Sequence, residues 1–484
     1  MKRLNRLILF IPLILLVSCT DVLNIKPVSD ISVNSFWTSE NDARAGLNGM
    51  YVRFRDQAAY NLFWWGEGRS ETLTYGLQAP EGRERYFNNN LDPTNAGPNW
   101  KGLYTVVHDA NLILKYVPDI EFKNGDEKNS IMAQAHAMRA FVYFIMARTW
   151  GGVPLRTEPT EGYDPQTTFK KRASVEDVFK LIKDDIKQSL DLFPDKSISD
   201  RSKFSAPAVN ALKANVYLWT GKRMGGGQSD FNTALNAINE VQKADVALLP
   251  TFADVFDFNN KKNKEILFSV HFERFESGSN YGDQIYIRGD QIPNETNQET
   301  KDALGLGGGL NRVSPSETVR DQYTDQDKRK DVTFTEIYKY NTNPPTYYAS
   351  VVNKFDGMIE DGARHFVSDL ILYRYADVLL MKAEAENALG QDPTPELNQV
   401  RNRAGLNDYS GPTDQASLDD AILKERLLEL AFEGKRWWDL VRFGKAFDLV
   451  PSLQNRKGKD YLLLWPISEE TISLNSKIEQ NPGY

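Results

Sequence analysis

One cysteine stands among 484 residues, so the chain forms no internal disulfide and must be held together by packing. Histidine is nearly as scarce. His108, His136, His271 and His365 lie far apart in sequence, and no His-x-x-x-His or Cys/His spacing suggests zinc. Gly305, Gly307, Gly308 and Gly309 follow no clear strand, and Leu310 stands where a dinucleotide fingerprint needs its third glycine. No Lys-Ser/Thr pair follows Gly225-Gly226-Gly227, which excludes a phosphate-binding P-loop, and a Gly-x-Ser-x-Gly elbow is missing. Asp257-Phe258-Asn259 begins like a calcium loop but lacks the glycine and the ligand spacing. No metal and no cofactor are expected, with calcium on a loop left open. Basic clusters are also wanting, and the net charge is −8, a poor match for nucleic acid. Beyond residue 17 no apolar run approaches the roughly 18 residues of a membrane-spanning helix, in keeping with a mean hydropathy of −0.50.

What is present begins with a leader. Lys2, Arg3 and Arg6 precede the apolar run from Leu7 to Val17, which ends in Leu16-Val17-Ser18-Cys19. This is the layout of a secretory signal peptide, and its ending resembles a bacterial lipobox. In that reading residues 1–18 are removed and Cys19 carries a diacylglyceryl group that tethers a soluble body to a membrane. The alternative is a plain signal peptide with a chance cysteine. With the three leader cations gone, the net charge of the body falls from −8 to −11.

Helical patterns fill most of the rest, near residues 39–56, 99–117, 129–149, 174–192, 206–220, 230–244, 368–389, 394–404 and 417–443. Ser39, Ser174 and Ser417 head capping-type starts, each with an acid in the first turn. Ala133, Ala137, Ala140, Phe141 and Phe144 share one face. So do Ala211, Ala214, Tyr217 and Leu218, and Ala376, Leu379, Leu380 and Ala383. Small residues let helices approach while aromatics fill the groove, the packing of tetratricopeptide helix pairs. The expected fold is therefore mostly α, an irregular tetratricopeptide-like scaffold forming one domain over residues 19–484. A loop-rich insertion at about 246–366 carries short strands such as 265–270 and 284–287, and a second loop-like region covers 60–98. Glu425, Glu429 and Glu433 recur every four residues. Like charges at that spacing repel, so arginines such as Arg374 or Arg403 should neutralise them in a structural network.

The run Ala431-Phe432-Glu433-Gly434-Lys435-Arg436-Trp437-Trp438-Asp439-Leu440 resembles the most recognisable stretch of the SusD/RagB family of outer-membrane nutrient-binding lipoproteins. Four further pieces occur in that family's order: Arg139-Ala140-Phe141 leading to Trp150-Gly151-Gly152-Val153-Pro154-Leu155; Arg374-Tyr375-Ala376-Asp377, with Asp377 where glutamate is usual; Asn398-Gln399-Val400-Arg401-Asn402-Arg403-Ala404-Gly405-Leu406; and the tail Trp465-Pro466-Ile467 with Asn481-Pro482-Gly483-Tyr484. The resemblance implies a non-catalytic lipoprotein, lipid-anchored at the cell outer membrane and exposed at the surface as a lid. Such a lid captures oligosaccharide and delivers it to a SusC-like TonB-dependent transporter. A peptide-binding, RagB-like lid is the alternative.

Sugar recognition needs flat aromatic faces and polar groups aimed at hydroxyls. Trp37, Trp100, Trp150, Trp219, Trp437, Trp438 and Trp465 fall in scaffold helices or family motifs and read as core. Trp64 and Trp65 remain as ligand candidates, with Glu67, Arg69, Tyr75, Arg83, Arg85 and Tyr86 nearby. In the insertion Tyr281, Asp283, Tyr286 and Arg288 mix aromatic and hydrogen-bonding groups, and Tyr347 and Tyr348 follow a Pro-Pro turn. These tyrosines could equally brace loops on the scaffold. An arginine-rich site at Arg69, Arg83 and Arg85 would favour a peptide carboxylate, Glu67 with Glu71 would be the acid pair of a hydrolase, and a scaffold that binds only other envelope proteins would bring no aromatic clusters together.

Overall fold

The computed structural model describes residues 36–78, 82–162 and 164–484; the leader and Cys19 lie outside them. The body is built of helices that pack on their neighbours in sequence. These are α1 (Glu40–Ala58), the short α2 (Asn61–Gly66) and α3 (Glu84–Phe87), α4 (Lys101–Tyr116), α5 (Gly125–Trp150), α6 (Val175–Leu192), α7 (Ala206–Arg223), α8 (Gly227–Val241), α9 (Tyr375–Ala388), α10 (Thr394–Arg403), α11 (Gln415–Leu430) and α12 (Arg436–Arg442). The helix α1 packs on α4, α4 on α5, α5 on α6, α7 on α8, and α9 on both α10 and α11, which is the expected helix-pair scaffold. Helix α5 explains the small-and-aromatic stripe. From Met138 to Trp150 every side chain is buried, so alanines admit the neighbouring helices while Phe141 and Phe144 fill the grooves between them.

Capping sets the starts. Ser39 and Asp42 form a full capping box at α1, and the Ser174 hydroxyl accepts the Asp177 N–H at α6; such caps contribute about 1 kcal/mol each. Ser417 does not cap. Asp414 takes the Ser417 N–H instead, and α11 opens at Gln415. Residues 368–389 also divide, because Leu370–Arg374 is a strand and the helix begins only at Tyr375.

Among the described residues the strands form four antiparallel pairs. Strand β1 (Leu73–Tyr75) pairs with β3 (Val313–Pro315), and β2 (Ile266–Val270) with β8 (Leu370–Arg374). Strand β4 (Phe334–Lys339) pairs with β5 (Thr346–Val352), and β6 (Met358–Glu360) with β7 (Ala363–His365). The stretch 284–287 is not a strand. Residues Gly282–Ile285 make a helical turn, and Tyr286 and Ile287 sit in a small apolar core with Leu304 and Ile337.

The pattern 417–443 is two helices, not one. Phe432 and Gly434 take positive φ of 66° and 71° and turn the chain between α11 and α12. Gly66 approaches this turn so closely that a Cβ on it would lie 1.8 Å from the Gly434 carbonyl oxygen, so only glycine fits.

The glutamate row is neutralised as expected and more extensively. Arg374 bonds Glu433 at 2.8 and 3.0 Å, Glu265 at 2.9 Å, and Glu429. Arg403 pairs with Glu265 and Glu429. Arg329 reaches Glu425 at 2.6 Å and Glu429 at 3.1 Å, and Lys354 meets Glu433 at 2.9 Å.

Candidate ligand-binding site

Helix α2 begins at a break after α1, where Tyr60 leaves helical geometry at φ −134°, ψ −45°. Successive helical residues point about 100° apart, so adjacent tryptophans take different roles. Trp65 points inward and is fully buried. Its indole N–H donates to the Pro98 carbonyl at 2.9 Å, and its ring meets Trp150 edge-on at 5.4 Å. Trp64 faces α3, where the Tyr86 ring stacks on it at 5.0 Å with planes 28° apart.

Trp64 is itself buried, 4% exposed, so it backs the half-buried Tyr86 ring in the wall of a cleft of about 510 Å³, lined also by Tyr60, Arg83, Arg85 and Gln284. The Arg83 guanidinium lies 5.7 Å from the centre of the Trp64 ring, and Arg85 pairs with Asp92 at 3.1 Å. Burial pushes the Tyr86 phenol up to about 12, so it stays a neutral donor and acceptor at physiological pH. Asp283 braces the floor by accepting the Tyr60 hydroxyl at 3.1 Å and the Gln284 amide at 2.7 Å, and burial raises its pKa. The Gln284 carbonyl oxygen is buried without a hydrogen-bond partner among the described residues. That oxygen is enclosed in the wall, while Gln284 itself lines the cleft. The N-terminal loop and the insertion therefore converge here through Trp64, Arg83, Arg85, Tyr86, Asp283 and Gln284.

Tyr75, Tyr347 and Tyr348 do not join this group. They line a separate cleft of about 510 Å³ with Arg320, Glu336 and Tyr338.

The other sequence candidates belong to the scaffold. Glu67 is fully buried and accepts the backbone N–H groups of Phe432, Lys435 and Arg436 at 3.0, 3.1 and 3.3 Å. It thereby serves the uncapped start of α12, while burial pushes its carboxyl up to about 7. Glu71 is also buried, bound to Arg436 at 2.6 Å. Neither lines the cleft, so Glu67 and Glu71 are not an acid pair facing a substrate. Arg69 is buried under Trp437 at 4.6 Å and donates to Asn89 and the carbonyls of Leu462 and Leu464. Tyr281 stacks on Phe63 at 4.3 Å and donates to the Phe432 carbonyl, and Tyr286 donates to that of Leu304. Arg288 is exposed and folds back on Asp290 at 2.6 Å, outside both clefts. Of the seven tryptophans read as core, six are buried and Trp37 packs half-buried against them.

Tyr60, Gln284 and Tyr338 were not among the expected residues. Tyr60 precedes Trp64 by four, which is one helical face. Tyr338 opposes Tyr347 across the β4–β5 register, visible only once the hairpin is known. Nothing local marks Gln284.

Among the described residues no group of three or more His, Cys, Asp or Glu side chains is arranged to hold a metal ion, and no helix is long and apolar enough to cross a membrane. The family model described as "SusD family" matches residues 340–484, and that described as "Starch-binding associating with outer membrane" matches residues 32–218. The solved structure of B. fragilis NanU is 33% identical, covers 95% of this chain and 100% of its own, and superposes with a TM-score of 0.86. A structure named a laminarin binding SusD-like protein is 26% identical over 92% of this chain and 100% of its own, at a TM-score of 0.78. A SusD-like protein of Formosa agariphila is 27% identical over 99% of this chain and 98% of its own length. With a relative one-third identical along nearly its whole length, the chain belongs to the SusD family.

Proposed function

We propose that this protein captures a glycan in the cleft of Trp64 and Tyr86, without chemical turnover, and hands it to a SusC-like TonB-dependent transporter in the outer membrane. The half-buried Tyr86 ring, stacked on Trp64 in a cleft lined by the polar side chains of Arg83, Asn95 and Gln284, carries the binding reading. An aromatic face takes the C–H side of a sugar ring while polar groups beside it select hydroxyls. The family model named for starch binding and the solved structure named for laminarin binding support that ligand class. The peptide reading loses ground because its three arginines do not act together: Arg69 is buried under carbonyls and Arg85 is engaged by Asp92.

The test is migration of the purified protein in native gels containing soluble starch, laminarin or other polysaccharides. One glycan should retard it. Tyr86 is only half-buried, so Tyr86→Ala should weaken that retardation about tenfold, equivalent to ~1.4 kcal/mol, with an unchanged circular-dichroism spectrum. Undiminished retardation would remove Tyr86 from the site.

Transporter delivery and lipid tethering rest on the family resemblance and on the lipobox-like Leu16-Val17-Ser18-Cys19. Tagged protein should co-purify a TonB-dependent barrel from detergent-solubilised outer membranes. Cys19→Ala should move the protein from the membrane fraction to the soluble one, since a thioether-linked diacylglycerol supplies the anchor. Continued sedimentation with membranes would rule that anchor out.

A further inference from the structure

We infer that the cleft between β1 and the β4–β5 hairpin is a second saccharide subsite, built for uncharged sugar rings. The inference rests on the glycan-binding reading above and extends it to a separate place on the molecule.

Most aromatic side chains of this protein are buried, but Tyr75 and Tyr347 are 54% and 38% exposed, and both open onto this cleft. Neither ring is loose. The Tyr75 hydroxyl accepts the Asn88 amide at 3.2 Å, and its ring meets Phe87 edge-on at 5.0 Å. Tyr347 shares a hydrogen bond with Ser350 at 3.0 Å and meets its cross-strand partner Tyr338 edge-on at 5.8 Å. The Arg320 guanidinium lies 4.2 Å from its ring centre. Exposed rings held in place lose little entropy when a ligand arrives, which separates a recognition surface from incidental exposure.

Charge narrows the ligand. The cleft carries the carboxylates of Glu317, Asp321 and Glu336 against the one guanidinium of Arg320, which is itself paired with Glu336. An acidic sugar would be repelled by the surplus. A cationic group would be drawn by the same surplus, but the Tyr347 and Tyr348 rings already carry Arg320 and Lys339. Neutral sugar rings suit tyrosine faces, and their hydroxyls donate well to carboxylates.

The two clefts flank the same segment. Tyr75 rests on Phe87, and Tyr86, its neighbour in α3, is the platform of the first cleft. A polysaccharide that engages both gains by effective concentration, whereas a short oligosaccharide occupies one.

The experiment compares the parent protein, Tyr86→Ala, the double variant Tyr75→Ala/Tyr347→Ala, and Tyr75→Phe/Tyr347→Phe. The probes are a neutral polysaccharide that retards the parent, chosen from starch and laminarin, and its hexasaccharide, measured by gel retardation and calorimetry. The double alanine variant should bind the polysaccharide at least tenfold more weakly, and should take up fewer hexasaccharides per protein while its first cleft keeps the parental affinity. The phenylalanine variant, which keeps both rings, should retain most of the polysaccharide affinity. Parental polysaccharide binding by the double alanine variant, with Tyr86→Ala impaired, overturns the second subsite and leaves the first cleft standing. Failure of the parent to bind either neutral glycan overturns both.

Discussion

Arg374→Ala should lower folding stability by roughly 3–5 kcal/mol, the cost of breaking a buried ion pair from one side. Arg374 is fully buried and holds Glu265, Glu429 and Glu433. Its removal leaves Arg403, Arg329 and Lys354 to share three buried carboxylates. Measured against a typical total stability of about 5–15 kcal/mol, the loss should appear as a large drop in the urea midpoint. The exposed pair Lys187–Asp191 gives the contrast: Lys187→Ala should change stability by no more than about 0.5 kcal/mol. The network also sets the response to acid. Arg374 and Lys354 hold the Glu433 carboxyl down at about 2, from an ordinary 4.5, against the opposing effect of burial. A folded-state pKa below the unfolded value stabilises fully above about 4.5, and that stabilisation is lost as pH falls toward 2. The urea midpoint should therefore fall across this window in the parent. In Arg374→Ala it should fall less steeply, because the principal source of the depression is gone. Equal slopes would show that Arg374 is not the group that holds Glu433 ionised.

Trp65→Ala should be almost as damaging, at about 3–5 kcal/mol. The ring is fully buried against Trp150, and its N–H satisfies the Pro98 carbonyl, so truncation leaves a cavity and an orphaned acceptor. Trp65, a ligand candidate in the sequence, is thus a core residue. Thermal melts of Trp65→Ala beside Tyr86→Ala separate the roles. The first should melt far below the parent, and the second near it. A Trp65→Ala protein that melts with the parent and binds no glycan would restore Trp65 to the site.

The scaffold was largely legible because its signals are local. Serine caps at Ser39 and Ser174, the alanine-and-aromatic stripe of α5 and the need for cations around Glu429 each follow from residues within a few turns. The ordered family motifs extended that reading over nearly the whole chain. The site was less legible because side-chain direction is decided at long range. Nothing adjacent distinguishes Trp64 from Trp65; the fold does, by placing Pro98 and Trp150 beside one and Tyr86 beside the other. Glu67 and Arg69 look like surface polar groups until the chain returns with the Phe432–Arg436 backbone and the Leu462–Leu464 carbonyls to bury them. Tyr75 and Tyr347 share a cleft with each other rather than with Trp64 because β1 and the β4–β5 hairpin lie beyond α3. The single helix expected over 417–443 failed for a similar reason. Phe432 is an ordinary helix former by pattern, and its positive φ is imposed by the turn that meets Gly66.

That turn gives the protein a direction in time. Glu67 leaves the ribosome 365 residues ahead of Phe432, the first of its three N–H donors, and synthesis proceeds from the N-terminus. Until the last quarter of the chain arrives, the carboxylate lacks those partners and α2 lacks the surface that seats it. Every residue lining the first cleft lies before position 285, yet α2, which carries Trp64, is seated only when residues 432–436 close against Gly66 and Glu67. Loss of residues 432–484 should unseat α2 without removing one side chain that lines the cleft, so the proposed glycan capture depends on a segment outside its own lining.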